Sequence, residues 1–221
     1  MRFIPLLAAV GLAALVTVIC VTRAASHPHV FVDTDLAVEV DEDGLVHAVT
    51  VTWTYDAFET LLVLDEWGMV AAYDTGLSAA DAEALTGYDL LRFEGVGGDL
   101  YLARATSEGE TAISLNAPEG RGVSLTDGRL TTTHRRALVT PTPAAGVVIR
   151  SYDPTFYTNY TLYQIAPVPG CIAEVTPPNL DAAYSLVDEL LYAMPQPEAA
   201  ENYPKVGKAF ADTLRLRCGG V

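Results

Sequence analysis

Two alternating segments on either side of one acidic turn constrain this chain more than anything else in it. Val30, Val32, Leu36, Val38 and Val40 alternate with Phe31, Asp33, Asp35, Ala37 and Glu39, the period-two pattern of a half-buried strand. Asp41-Glu42-Asp43-Gly44 supplies turn chemistry. Leu45, His47, Val49, Val51, Trp53 and Tyr55 then alternate with Val46, Ala48, Thr50, Thr52 and Thr54, which predicts a β-hairpin. Whether its loop is Asp43-Gly44 or runs from Asp41 to Gly44, an even position on the first strand faces an odd position on the second. Both registers gather the apolar sets on one face and leave His29, Asp33, Asp35, Thr52, Thr54 and Asp56 on the other.

The rest of the pattern predicts an α+β fold, mainly antiparallel β. Phe58 to about Ala72 favours a helix, with Phe58, Leu61, Leu62, Leu64 and Met69 spaced for one buried face. A second helix starts at Ser78 as N-cap and runs to about Leu91, with Gly87 a weak point. This helical insertion covers about 57–91. Strand-like runs follow at Leu100 to Ala105, Thr111 to Leu115, Arg129 to Thr140, Val147 to Tyr152 and Tyr160 to Ile165. Segments rich in Gly, Pro and Asp separate them, including Asn116 to Gly120, as in antiparallel β structure. A helical tail is expected over about 180–214, as one helix from Leu180 to Tyr192 and a short one from Lys205 to Leu214. Residues 27–221 are read as a single β-rich domain.

Ahead of the hairpin, Arg2, an uncharged run from Phe3 to Val21, and then Arg23, Ala24, Ala25 and Ser26 follow the order of a secretory signal. A signal peptide over residues 1–26 is expected, with cleavage after Ala24 or Ser26; an uncleaved membrane anchor is the alternative. Ile19 is too large for the position before a lipid-acceptor Cys20, so no lipid anchor is expected. The formal charge is -15, and loss of Arg2 and Arg23 makes it more negative still. Such a surface repels nucleic acid and anionic lipid headgroups. The remaining cysteines, Cys171 and Cys218, read as one disulfide in an exported chain, with two free buried thiols as the alternative.

His27 and His29 flank Pro28 where the mature chain would begin. Alternate residues on a strand put both rings on one face, roughly 6–7 Å apart at their Cα atoms, within reach of one metal ion. Cleavage at His27 would add the new amine to the donor set. Cleavage at Ala25 would place His27 third, the arrangement that grips Cu(II) or Ni(II) in a square. The register adds Asp56 across from His29, giving a metal set His27, His29 and Asp56. Asp33 is too far along the strand to ligate and becomes an outer-shell partner, since four strand residues span roughly 13 Å. His47 reads as a histidine at the edge of the core, and His134-Arg135-Arg136 as a basic cluster paired with the chain's own carboxylates. Tyr152, Asp153, Phe156 and Tyr157 form an aromatic segment that could line a ligand cleft or a partner surface, or simply pack the β-domain. The chain lacks Gly-x-Ser-x-Gly, His-Glu-x-x-His and a phosphate-cradling loop, and is read as a non-enzyme.

Three segments resemble a bacterial family of exported proteins, the domain of unknown function 1007 family. They are His27 to Asp33, Val51 to Phe58, and Tyr152 to Tyr157; Gly170-Cys171 and Cys218 fit the same pattern. The resemblance implies a periplasmic component of an ABC-type or related transport system for nickel, cobalt or zinc, with a membrane transporter subunit as partner. It implies no particular reaction. An Asp-rich, calcium-loop-like stretch found in similar proteins is reduced here to Asp74 within Val70 to Ser78. A metal-free interaction module, or a binding protein for a small solute, is the other expectation.

Overall fold

The computed structural model describes residues 28–91, 99–194 and 203–219. The signal-peptide segment, and His27 with it, lies outside the described residues. The fold is β-rich, built from two five-stranded sheets. The first contains β1 (Val30–Val40), β2 (Leu45–Tyr55), β5 (Glu119–Thr126), β6 (Arg129–Pro143) and β8 (Thr158–Ile165), in the order β5-β6-β2-β1-β8. The second contains β3 (Leu100–Thr106), β4 (Gly109–Ile113), β7 (Val147–Ser151), β9 (Cys171–Thr176) and β10 (Thr213–Cys218), in the order β4-β3-β7-β10-β9. Val32, Val49, Trp53, Leu102, Ile149 and Leu214 belong to one buried cluster that joins the two sheets.

β1 and β2 pair antiparallel with Val32 opposite Tyr55 and Leu36 opposite Val51, and a shift at Glu39/Val40 absorbs the turn. Val30, Val32, Leu36, Val49, Val51 and Trp53 are buried together. The other neighbour of β1 is β8, and that pairing is parallel, with Val30 opposite Thr158. The arrangement is mainly antiparallel, as expected, and the β1–β8 pairing is its parallel exception. Alternation reports which face of a strand is buried and carries no information on the direction of a distant partner.

Four short helices fill the insertion: α1 (Ala57–Glu66), α2 (Ala72–Thr75), α3 (Ala79–Leu85) and α4 (Tyr88–Leu91). The long helix expected to reach Ala72 stops at Glu66 because Gly68 takes φ 67, a left-handed conformation natural to glycine. Ser78 caps α3 in a full capping box with Asp81. The second expected helix divides at Gly87 into α3 and α4. The burial of α1 also differs from expectation. Glu59, Thr60, Val63 and Leu64 face inward, whereas Phe58, Leu61 and Leu62 are exposed.

α5 (Leu180–Tyr192) forms where a C-terminal helix is expected. The second tail helix is instead one 3-10 turn, Gly207–Phe210, followed by β10. Leu214 and Leu216 are buried between the more exposed Arg215 and Arg217, a strand alternation too short to dominate the reading. β5 and β9 are likewise strands where turns or no element were expected. Cys171 and Cys218 stand opposite one another across β9 and β10 and are joined as a disulfide. The bond closes a separation of 47 residues and holds the last strand in register. Replacing both cysteines with alanine should lower the unfolding free energy by about 2–4 kcal/mol, the usual value of such a crosslink. Urea denaturation measures it.

Candidate functional site

The residues expected to hold a metal are largely occupied with structural duties. Asp56 lies opposite Phe31, two residues beyond His29, and caps α1. Its Oδ1 accepts hydrogen bonds from the backbone N–H of Phe58 (2.8 Å) and Glu59 (2.9 Å), and its Oδ2 from that of Phe31 (2.8 Å). Asp33 is paired with Arg129 at 2.8 Å. Among the described residues, no group of three or more His, Cys, Asp or Glu could hold a metal ion. His47 bonds Asp41 at 2.6 Å beside the turn. The basic cluster divides by strand alternation: Arg135 points outward to Glu39, while His134 and Arg136 are buried. His134 lies edge-on to Trp53, and burial, then the nearby Arg136 charge, lowers its pKa to about 3.

His29 leads elsewhere. Its ring lies 4.9 Å from that of Tyr157, and its backbone N–H donates to the Tyr157 carbonyl. Tyr157 lines a cavity of about 370 Å³ together with Asp153 and Pro154 of the same loop and Thr158 at the start of β8. Val30, Tyr55 and Tyr160 line it from the first sheet, and Glu59, Tyr88, Asp89 and Asp99 complete it. Half of the aromatic segment therefore does line a cleft. The other members brace it: Tyr152 stacks on Tyr101 at 4.0 Å, and Phe156 on Phe210 at 3.7 Å.

The brace is tight. Phe156 adopts φ 60, costly for so bulky a residue. Asp153 holds the turn by accepting from the N–H groups of Thr155 and Thr158. Gly207 donates to the Pro154 carbonyl, and a Cβ there would sit 1.7 Å from the Asp153 carbonyl oxygen. Only glycine lets the 3-10 turn come so close. Phe156, Ala183, Val206 and Phe210 form a second, smaller core behind this wall.

Two aspartates in the lining are buried, and sequence reasoning singled out neither. Asp89 accepts from Tyr55 Oη at 3.0 Å and Thr132 Oγ1 at 2.6 Å. Asp99 accepts from Tyr160 Oη at 2.9 Å. Burial raises the pKa of Asp89, and raises that of Asp99 to about 7. Both tyrosines are held well above their usual range, first by burial and then by the neighbouring carboxylates. The site therefore pairs each of its two buried aspartates with a buried phenol, and among the described residues the charged side chains of its lining are acidic. A signal was present in Tyr88-Asp89-Leu90-Leu91, where one acid sits inside an apolar helical run.

A two-sheet β protein with an acidic, tyrosine-lined cavity is the class these features define. The family model described as "Protein of unknown function (DUF1007)" matches residues 12–218. The chain belongs to that family. No functionally curated protein matches it.

Asp99 gives this description a thermodynamic consequence. Between about pH 4 and 7 the folded chain keeps a proton that the unfolded chain releases, so Asp99 subtracts more stability as pH rises through that window. Asparagine keeps an acceptor for Tyr160 and tolerates the φ of 51 at this position. Asp99→Asn should raise the melting temperature at pH 8 and leave it nearly unchanged at pH 4. Thermal melts at the two pH values decide it, and an offset independent of pH would contradict the assignment.

Proposed function

We propose that this protein is an exported, periplasmic accessory component of a divalent-metal transport system, a binding protein rather than an enzyme. In this reading the ion stays hydrated and is held through its water by the acidic lining, Asp89, Asp99 and Asp153, because no three of the described His, Cys, Asp or Glu are placed to ligate it directly; His29 stands beside the rim. The observation that carries the proposal is the lining itself: among the described residues, four acidic side chains and four tyrosines surround about 370 Å³, with no basic group among them. The resemblance supplies the class of cargo, nickel, cobalt or zinc, and a membrane transporter subunit as the partner. The cavity is much larger than a bare ion, so the cargo would enter with part of its hydration shell.

A cation entering this site competes with the protons on Asp99 and Asp89. Affinity should therefore rise with pH through about 7, the value to which burial brings Asp99, and each binding event should release protons. Calorimetric titration with Zn(II), Ni(II) and Co(II) at pH 6 and 8, in buffers of different ionisation enthalpy, measures both quantities. Asp99→Asn or Asp153→Asn should weaken binding about tenfold or more, while His29→Ala has a smaller effect. If His27→Ala and His29→Ala abolish binding and the aspartate variants do not, the ion sits at the mature N-terminus with Asp56 as its nearest carboxylate. The tyrosines favour a second reading, a small organic solute in the same cavity. Ligand screening of the metal-free protein separates the two.

A further inference from the structure

A second cavity of about 370 Å³ opens at the other end of β3 from the acidic one. Asp99, immediately before β3, lines the acidic cavity, and Thr106, the last residue of the strand, lines this one. The seven residues of β3 separate the two by roughly 23 Å. The sheets themselves build the second cavity. β4 ends at Ile113, and the Ser114 carbonyl accepts the Val139 N–H at 2.9 Å, so the edge of the second sheet meets β6 of the first at this point. One bridge, Leu115 to Leu138, continues the contact. On the near side of that junction the β3–β4 hairpin and the run Val139 to Thr142 are not paired with one another, and the cavity lies between them.

Its chemistry is the reverse of the acidic cavity. Among the described residues, Arg104 is the only charged side chain in the lining. Alternation turns Glu110 to the opposite face of β4 from Thr111, where Arg150 takes both its oxygens. Nη1 and Nη2 of Arg104 each donate to a carbonyl, those of Ala145 (3.0 Å) and Pro143 (2.6 Å). These bonds fix the guanidinium at the β6–β7 turn and leave three of its five donors without a protein acceptor among the described residues. Thr106 spends its hydroxyl on the hairpin turn, at Gly109 and Glu108. Thr111, Ser114, Thr140 and Thr142 have no such commitment to a protein partner among the described residues. Ile113 and Val139 add apolar contact.

A fixed guanidinium pairs a carboxylate through two parallel hydrogen bonds, and four uncommitted hydroxyls match a ligand that carries hydroxyls of its own. Strands supply the described lining, whereas a phosphate is usually cradled by a helix N-terminus or a glycine-rich loop. The volume falls in the range of small-molecule sites. We infer that this cavity is a second binding site, for a small carboxylic acid bearing several hydroxyls, of the size and chemistry of a sugar acid. The site is separate from the acidic cavity and does not depend on what that cavity takes.

The test titrates the processed protein with D-glucuronate, D-glucose, acetate and glucose 6-phosphate by calorimetry. D-glucuronate should bind saturably at one to one, and about tenfold or more tightly than D-glucose or acetate, each of which offers half of the recognised chemistry. Arg104→Gln should weaken its binding about tenfold or more. Because Arg104 also holds the β6–β7 turn, a second variant, Thr111→Val with Thr140→Val, removes two hydroxyls and no tie to the backbone. It should weaken binding about fivefold or more at an unchanged melting temperature. Asp99→Asn, in the acidic cavity, should leave the affinity for D-glucuronate unchanged. Absence of saturable binding by D-glucuronate, tighter binding of glucose 6-phosphate, or an affinity that the Arg104 and threonine variants both leave intact would each overturn the inference.

Discussion

The structure depends on β1 being paired on both sides at once, antiparallel to β2 and parallel to β8. The first pairing is local and follows from one turn. The second joins residues far apart in sequence and carries the entropic cost of closing a long loop. Everything around the cavity is referred to this double pairing. It brings Tyr157 to the backbone of His29 and Val30, sets Tyr160 beside Trp53 at 5.1 Å, and fixes the start of α1 through Asp56. Sliding β1 by one residue would turn Val30 and Val32 outward and dismantle the cavity wall.

The cavity is a costly feature to maintain. Two carboxyls are buried where an ionised form is penalised, and a phenylalanine is held in a left-handed conformation. Hydrogen bonds from Tyr55, Thr132 and Tyr160 offset the first cost. The stack of Phe156 on Phe210 and the small core behind it offset the second. Acids kept in a cavity at such a cost point to a use for them.

Much of the first sheet was legible because each signal was local. The alternation of β1 and β2, the Ser78 cap and the long run of β6 all express themselves within a few residues. What stayed hidden depends on distant partners. The parallel β1–β8 pair, the strand at Thr213–Cys218 and the edge strand β5 take their state from neighbours that sequence alone does not reveal. The site followed the same rule. Asp153 and Tyr157 stood in a conspicuous aromatic segment. Asp89 and Asp99 lay among many acids and were distinguished only by burial. His29 and Asp56 share the end of the hairpin, but the register shift at Glu39/Val40 belongs to a pairing that leaves Asp56 opposite Phe31.

The helix α1 shows why periodicity and burial are separate facts. Its apolar spacing at Phe58, Leu61 and Leu62 predicts a covered face, and the spacing is real; the fold instead turns Thr60, Val63 and Leu64 to the core and leaves the stripe in water. A helix this short is held by packing more than by intrinsic propensity, so the inner contacts decide its rotation. Its outer stripe contributes nothing to the isolated fold and costs solubility. Glu59, on the inner side of the same helix, lines the cavity, so the packing that sets the rotation of α1 also sets that wall.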